Sequence, residues 1–557
     1  MLLSKHSLLK YKMMKTHYNL TNTMKLRLSV AGLLAYVLLG FTGCTKNFEK
    51  YNTDNTGLKP SQFSAALIFQ GIQTSLFGEE NNYQLNENLN ADCYSGYMMS
   101  PDPFRGNINN LTYSLVDGWN QQVFSDAYTI SMFDINYIAG VGTKASQPDF
   151  WAIALILKVE TMHRVTDKYG PVAYSAVGKS VTATPYDSQQ SVYNQFFLEL
   201  DTAVTTLNTY IKANPGATPF QKYDLVYNGD YTKWLKFANS LRLRLAMHLT
   251  KIDAVTAQAQ AEKALDPTNG GLMSVPSDDA GISGGGYHNP LFVITTSWTD
   301  ISLGAPLQTY LTGYNDPRLP VYASPVVTDP KVGGALPTSY AGQYIGIRIG
   351  SLITAKPSYN SYSTLNPTTA VSSSSPMIMM TAAEVWFLKA EVALRGWPNA
   401  GDAQTDYNTG IQTSMAQWGV SAGNYITNAT STQAAYTDPT NSANSSPALS
   451  TATIAWNAGA TNEQNLERII TQKWLAMFPE GEEAWTEYRR TGYPKLFPVV
   501  TNNSNGTIDS QIQIRRLAYP QAEYTSNGAA VQAAVQLLGG PDNGGTRVWW
   551  DVAKPNF

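Results

Sequence analysis

Cysteine and histidine are scarce in this chain of 557 residues, which has two Cys and five His. If Cys44 is modified, as argued below, Cys93 has no partner within the chain, and no disulfide framework can hold the fold. The sequence contains no H-E-x-x-H or C-x-x-C motif, and its His residues show no metal-ligand spacing. We therefore predict no metal site and no cofactor.

Charged residues are also few, at 14% of the chain, and Asp and Glu are absent from residues 1–43. That segment holds six of the 38 Lys and Arg residues, so its removal changes the formal net charge from −3 to −9. A nucleic-acid-binding protein needs the opposite sign, so a nucleic-acid partner is excluded. The surface must depend on uncharged polar residues and on the 33 Tyr, whose ring and hydroxyl suit sugar-facing surfaces.

Only one apolar run approaches membrane length, and it ends at Cys44. Its roughly 14 apolar residues are too few for a ~30 Å hydrocarbon core, which needs about 20 in a helix. Lys25 and Arg27 precede the run and small residues close it, which predicts a secretory signal peptide over residues 1–43. The ending Thr42-Gly43-Cys44 resembles the bacterial lipobox, in which the Cys thiol receives a diacylglycerol. The alternatives are an ordinary signal peptide that ends in Cys and an uncleaved anchor.

The segments on either side of the run complete this interpretation. Phe41 occupies a lipobox position where Leu is usual, and residues 1–23 form an unusually long basic leader. Met24 and the basic residues after it would open an ordinary signal peptide, so we expect translation to start at Met24. Residues 44–60 are short and polar, which predicts a lipidated linker.

From residue 61 onward, apolar residues recur at helical spacing, which predicts one mainly α-helical domain over residues 61–557. Asp230 is expected to cap one helix, and Thr381 with Glu384 forms a capping box for another. Three segments rich in Gly, Pro, Ser or Asn are predicted to be loop-rich insertions, at about 82–125, 264–376 and 420–453.

Residues 384–419 predict two antiparallel helices with alanines at their contact. Two such helices within ~40 residues are typical of a tetratricopeptide-type unit. The alternative is any other helical hairpin, because a single pair does not distinguish the two.

Seven sequence blocks in a fixed order resemble the SusD/RagB family, and more closely its SusD-like branch of nutrient-binding outer-membrane lipoproteins of Bacteroidetes. The blocks are the lipobox and residues 166–172, 186–188, 234–244, 384–396, 483–492 and 515–520. No single block is specific, but together they cover the chain from Cys44 to its C-terminus.

This resemblance implies a scaffold of four tetratricopeptide-type helix pairs and an irregular, loop-rich subdomain that holds the ligand site. It also implies a lipid-anchored cell-surface binding protein rather than an enzyme. Such a protein captures a glycan, or another oligomeric nutrient, and delivers it to a TonB-dependent (SusC-like) outer-membrane transporter.

Binding residues of the family lie in variable loops and cannot be transferred by motif, so candidates are chosen on physical grounds. The C–H face of a sugar packs on a flat aromatic ring, and its hydroxyls bind polar donors such as Arg. The loop-borne candidates are Tyr97, Arg105, Trp119, Tyr287 and Trp298.

Two other functions remain as alternatives, a surface structural or adhesion protein and, with less support, a surface glycoside hydrolase. Residues 281–285 match the G-x-S-x-G nucleophile elbow, but that motif needs a strand-to-helix turn and a downstream acid and His. Asp278 and Asp279 could join a calcium site, although they lack an EF-hand pattern. Paired carboxylates for glycoside hydrolysis depend on a three-dimensional separation that the sequence does not reveal.

The predicted division between anchor and body can be tested at Cys44. A Cys44→Ala protein should fold and bind its ligand but be lost from the outer membrane, because only the lipid attachment is removed. Membrane fractionation with circular dichroism measures both properties, and a misfolded variant would contradict the division.

Overall fold

The computed structural model describes residues 65–179, 183–332 and 334–557. The predictions made for the signal peptide, for Met24, for the lipidation of Cys44 and for the linker lie outside these residues. They stay predictions.

α-Helices are the main elements of the described residues. Helix makes up 51% of the structure, which confirms the predicted mainly α-helical fold. In chain order the helices are α1 (Phe69–Ser75), α2 (Glu80–Tyr83), α3 (Ala91–Tyr94), α4 (Asp117–Asp126), α5 (Phe133–Gly140), α6 (Thr143–Ser146), α7 (Pro148–Tyr169), α8 (Gln189–Ala213), α9 (Tyr231–His248), α10 (Ala254–Leu265), α11 (Pro290–Thr296), α12 (Ala305–Gly313), α13 (Leu319–Tyr322), α14 (Ala382–Leu394), α15 (Ala403–Gln417), α16 (Asn462–Met477), α17 (Gly481–Thr491), α18 (Gln521–Ser526) and α19 (Gly528–Leu538).

Four pairs of consecutive helices form the scaffold. Helix α7 packs on α8, α9 on α10, α14 on α15 and α16 on α17. Neighbouring pairs contact each other in turn, since α9 also packs on α8 and α14, and α14 packs on α16. This is the arrangement expected of stacked tetratricopeptide-type pairs. None of the described helices combines the length and the apolar character needed to cross a membrane.

The predicted caps are present, with one correction. The Asp230 carboxylate accepts hydrogen bonds from the backbone N–H groups of Thr232 and Lys233, and the Thr381 hydroxyl accepts one from the N–H of Glu384. The Glu384 side chain does not return to the backbone of Thr381 to complete a capping box. Instead its carboxylate pairs with the guanidinium of Arg244, with an Nη2–Oε2 distance of 2.6 Å.

Two of the predicted loop regions contain helices that the sequence pattern concealed. Most of helix α4 lies within residues 82–125, and α12 lies within 264–376. Pro306 falls in the first turn of α12, where the first N–H groups have no intrahelical acceptor and a proline is tolerated. Residues 420–453 contain a 3₁₀ turn at Ser442–Asn444 and an isolated bridge between Tyr436 and Ser446.

Four short strands form two antiparallel pairs in the loop-rich part of the described chain. They are β1 (Met98–Met99), β2 (Ala280–Ile282), β3 (Ser302–Leu303) and β4 (Met377–Met380), and β1 pairs with β3 while β2 pairs with β4.

Charged side chains occupy the centre of the helical scaffold, where each is less than 5% exposed. Arg164 of α7 pairs with Glu480 at 2.6 Å, and Lys168 pairs with both Glu87 and Glu482. We call this set the buried ion network: Glu87, Glu160, Arg164, Lys168, Arg244, His248, Glu384, Lys473, Glu480, Glu482, Glu483 and Glu487.

The network joins all four helix pairs, because its members come from α7, α9, α14, α16 and α17. Lys473 of α16 lies 3.3 Å from Glu483 and 3.7 Å from Glu384, on two different pairs. Every residue of α9 from Phe237 to His248 is buried, so Arg244 lies in the interior although it is off the apolar face of the helix.

Removing one cation from this network should be strongly destabilising. An Arg244→Met variant leaves Glu384 and Glu483 buried without their guanidinium partner, so that both depend on Lys473, and we expect the free energy of unfolding to fall by about 3–5 kcal/mol. Urea unfolding followed by circular dichroism measures the change.

The matched control is Lys263→Met, which breaks the exposed pair between Lys263 and Asp201. Because solvent screens that pair, the loss should stay below about 1 kcal/mol. Equal losses of unfolding free energy in the two variants would show that burial does not increase the contribution of Arg244 to stability.

Candidate functional site

The pairing of β1 with β3 brings two distant loops to the same place. Met98 lies opposite Leu303 and Met99 opposite Ser302. In an antiparallel pair, the end of one strand adjoins the beginning of the other. The loop that follows Met99 therefore lies beside the loop that precedes Ser302, and these two loops carry Arg105 and Trp298.

A glycine allows this close approach. Gly304 follows β3, and its N–H donates to the carbonyl of Tyr97 at 2.8 Å. A Cβ added at Gly304 would lie 2.3 Å from the carbonyl oxygen of Gly96. Any side chain here would separate the two loops.

Lys356 ties three segments of this region together. Its ammonium donates to the carbonyl of Trp298 at 2.7 Å, pairs with Asp300, and lies 3.4 Å from the carboxylate of Asp102. The lysine and both carboxylates are partly buried, which strengthens their interaction relative to a fully exposed pair. The loops near Trp298 and Asp102 are therefore held in fixed positions.

Asn107 fixes the next part of the same loop. Its side-chain N–H donates to the carbonyl of Ile353 at 3.0 Å, and its side-chain oxygen accepts from the N–H of Ile353 at 2.9 Å. The neighbours of this clamp, Ile108 and Leu352, are 57% and 50% exposed. Two apolar side chains thus reach solvent beside the clamped loops.

Aromatic rings and an arginine complete this surface. Phe104 meets Trp119 edge to face, with ring centroids 5.7 Å apart, and Trp119 is half-buried. Arg105 is exposed, takes a left-handed backbone conformation (φ 55°), and has no carboxylate within ion-pair distance among the described residues. We call this region the loop surface: Phe104, Arg105, Ile108, Trp119, Trp298, Leu352 and Lys356.

The structure corrects one of the five predicted binding residues. Tyr97 is fully buried, its ring stacks on Trp474 with centroids 5.1 Å apart, and its hydroxyl donates to the carbonyl of Trp474. It immediately precedes β1, and its ring is part of the core. Tyr97 therefore cannot serve as a sugar platform in this conformation.

Three of the remaining candidates, Arg105, Trp119 and Trp298, belong to the loop surface, but Tyr287 occupies a different place. Tyr287 lines a groove of about 520 Å³, and its hydroxyl donates to the carbonyl of Gly78 at 2.9 Å. The α2 segment connects the two places, because Glu80 pairs with His288 and Gln84 donates to Asp300.

Lys356 and Asn107 were not foreseen as part of the site. Both lie in polar loop sequence without a motif, and their roles depend on contacts with residues more than 50 positions away. No local sequence signal identifies such residues.

The nucleophile-elbow match does not have the required backbone. Gly281 and Ile282 belong to β2, but the chain then turns back between Gly284 and Tyr287 instead of entering a helix. Its downstream His288 pairs with Glu80 rather than with a serine.

Asp278 and Asp279 have structural partners. Asp278 receives Lys236 at 3.1 Å and the N–H of Ser274 at 3.0 Å. Asp279 accepts from the N–H of Ala382 at the start of α14, and burial raises its pKa to about 7. Both carboxylates therefore already have donors within the fold, so this pair does not favour the calcium alternative.

His248, Glu483 and Glu487 lie close enough together to hold a metal ion. However, Lys473 lies 3.3 Å from Glu483 and 3.6 Å from Glu487, and His248 shares a hydrogen bond with the hydroxyl of Tyr193. An ammonium thus already supplies the positive charge, and the three groups belong to the buried ion network.

Comparisons with solved structures give several close relatives. A chitin-binding SusD homologue from Flavobacterium johnsoniae is 44% identical, with a TM-score of 0.82 over 88% of this chain and 98% of that one. A SusD homologue from Bacteroides vulgatus is 38% identical, with the same TM-score and the same two coverages. A further structure, described as a chitin-binding protein, is 27% identical, with a TM-score of 0.70 over 88% of this chain and 100% of that one. No curated protein matches this chain.

The family comparison covers most of the sequence. The SusD-like family, described as "Susd and RagB outer membrane lipoprotein", matches residues 45–551. Its extent agrees with that of the resemblance seen in the sequence blocks. The chain therefore belongs to the SusD-like family of outer-membrane lipoproteins.

Proposed function

We propose that this protein binds a glycan at the loop surface and does not alter it chemically. The observation that carries the proposal is the surface itself, where Arg105 and Trp298 lie on loops that side-chain clamps hold in place and Trp119 lies in the first turn of α4. Clamped loops support binding because little conformational entropy is lost when the ligand arrives.

Chitin-type oligosaccharides are the ligand class that we expect. The relative that is 44% identical is a chitin-binding SusD homologue, which makes the same class the first choice here. An N-acetylated sugar is neutral, has an apolar methyl group and an apolar ring face, and carries an amide and hydroxyls. Exposed apolar side chains and two indoles match the methyl group and the apolar ring face, and Arg105 supplies N–H donors for the carbonyl oxygens.

The carboxylates beside the loop surface favour binding over hydrolysis. A glycoside hydrolase needs one carboxylic acid that donates a proton and a second carboxylate that acts as base or nucleophile. Asp102 and Asp300 are instead both engaged by the ammonium of Lys356. One cation that holds both groups fits a clamp between loops better than a catalytic acid and base.

The location and partner of the protein form the second part of the proposal. A diacylglycerol on Cys44 would hold the chain on the outer membrane, in agreement with the description of its family as outer-membrane lipoproteins. From there the protein would deliver its glycan to a TonB-dependent transporter. Co-purification of the membrane-extracted protein with a large barrel protein tests this part, and isolation without such a partner favours an adhesion role.

Replacing the indoles should weaken glycan binding. We expect Trp119→Ala and Trp298→Ala each to lower the affinity for chitin hexasaccharide at least tenfold, or about 1.4 kcal/mol, because the sugar loses an apolar platform. Isothermal titration calorimetry on the full-length protein measures the affinity, and circular dichroism shows whether the fold is kept.

Two controls accompany these variants. Trp397→Ala removes a half-buried indole outside the loop surface and should leave the affinity unchanged. Incubation of the wild-type protein with the hexasaccharide should release no shorter sugars. Wild-type affinity in both loop-surface variants would overturn the proposed site, and turnover would support the hydrolase.

A further inference from the structure

The structure contains a second cavity, of about 450 Å³. It lies where the last turn of α17 meets the segment after α9 and the C-terminal tail. No residue of the loop surface lines it. Its volume falls within the range of small-molecule sites.

The wall of this cavity is strongly basic in a chain whose net charge is negative. It contains no Asp or Glu among the described residues that line it. Six of the lining residues are cationic: Lys251, Arg489, Arg490, Lys495, Arg515 and Arg547.

The carboxylates behind the wall balance only part of this charge. Arg490 pairs with Glu391 and Glu487, and Arg489 lies 3.7 Å from Glu482, but Arg515 and Arg547 share the single carboxylate of Asp551. Lys251 and Lys495 have no carboxylate within ion-pair distance in the described part of the chain: Lys251 donates to the carbonyl of Arg490, and Lys495 lies over the ring of Tyr493. The cavity therefore carries an excess of positive charge.

The pKa of Lys251 is lowered by two effects. Burial and then the charge of Arg490 lower its pKa to about 8, and Arg547 and Arg515 act in the same direction. Asp551 acts in the opposite direction but does not compensate. Burial is the larger cause, and the three guanidinium groups add a repulsion that agrees with the excess of positive charge.

We infer that this cavity binds an oxyanion: a phosphate, a sulfate or the carboxylate of an acidic sugar. Guanidinium groups bind such anions through paired N–H donors, and an ammonium adds a compact charge. Arg547, whose side chain is 30% exposed, Lys495 and Lys251 are all partly exposed at the wall, while Arg515 is buried. A neutral chitin chain has no group that needs this charge, so the site is separate from the loop surface.

Some of the same cations also stabilise the C-terminus of α17, and the experiment must separate that role from anion binding. Lys251 and Arg515 donate to the carbonyls of Arg490 and Arg489 in the last turn of α17. Cations at a helix C-terminus stabilise it by themselves. Lys495 and Arg547 make no such contact with these carbonyls and are therefore the residues to change.

The test measures anion binding to the full-length protein at low ionic strength. Inorganic phosphate, inorganic sulfate and glucuronate are titrated separately by calorimetry, so that a free inorganic anion and an acidic sugar are distinguished. We expect saturable binding of at least one of them, and at least tenfold weaker binding by the Lys495→Met/Arg547→Met double variant. Added sodium chloride should weaken the wild-type binding.

Two matched variants complete the design. Lys212→Met removes an exposed lysine from α8, outside the cavity, and should bind the anion like the wild type. Trp119→Ala should also bind it like the wild type, so that failure of the glycan site and failure of the anion site are distinguishable. If no anion binds saturably, or if the double variant binds as the wild type does, the cations only cap α17 and the inference is overturned.

Discussion

The scaffold depends on the buried ion network, in which carboxylates and cations from all four helix pairs contact one another away from water. A buried carboxylate without a cation costs several kcal/mol. A helix pair that carries such charges can therefore be buried only where the other pairs supply charges of the opposite sign. The partners are far apart in the chain: Arg244 and Glu384 are separated by 140 residues, and Arg164 and Glu480 by 316. The network therefore specifies which helices meet and in which register.

This arrangement explains how a scaffold of helices can carry long irregular segments. The helix pairs are held by their own packing and by the ion network, and the loop-rich part of the chain adds Glu87 to that network and the ring of Tyr97 to the core. The loops of the candidate site are held by single polar side chains, Lys356 and Asn107, and by a strand pair of two residues each. Such clamps leave aromatic and apolar side chains exposed, which a well-packed core would not allow.

Local signals allowed a good prediction of the scaffold. Asp230 and Thr381 act as caps because a cap depends on hydrogen bonds within one turn. Helix α12 was not predicted because a proline such as Pro306 usually ends a helix, although a proline is well tolerated in the first turn. Glu384 was assigned to its own helix terminus, but the unpaired charge of Arg244 competes for it more strongly than a backbone N–H does.

The sequence by itself determined the class of fold, the positions of most helices and the family, because periodicity, caps and ordered motifs are local properties. Its negative net charge also argued against a nucleic-acid partner, and its two cysteines against a disulfide framework. Only the tertiary structure decided that Tyr97 belongs to the core while Trp119 and Trp298 reach the surface, since the three aromatics lie in similar loop sequence. It also decided which charges lie in the interior and which six cations line one cavity. Burial and charge balance are properties of residues that meet from distant parts of the chain, and no local pattern encodes them.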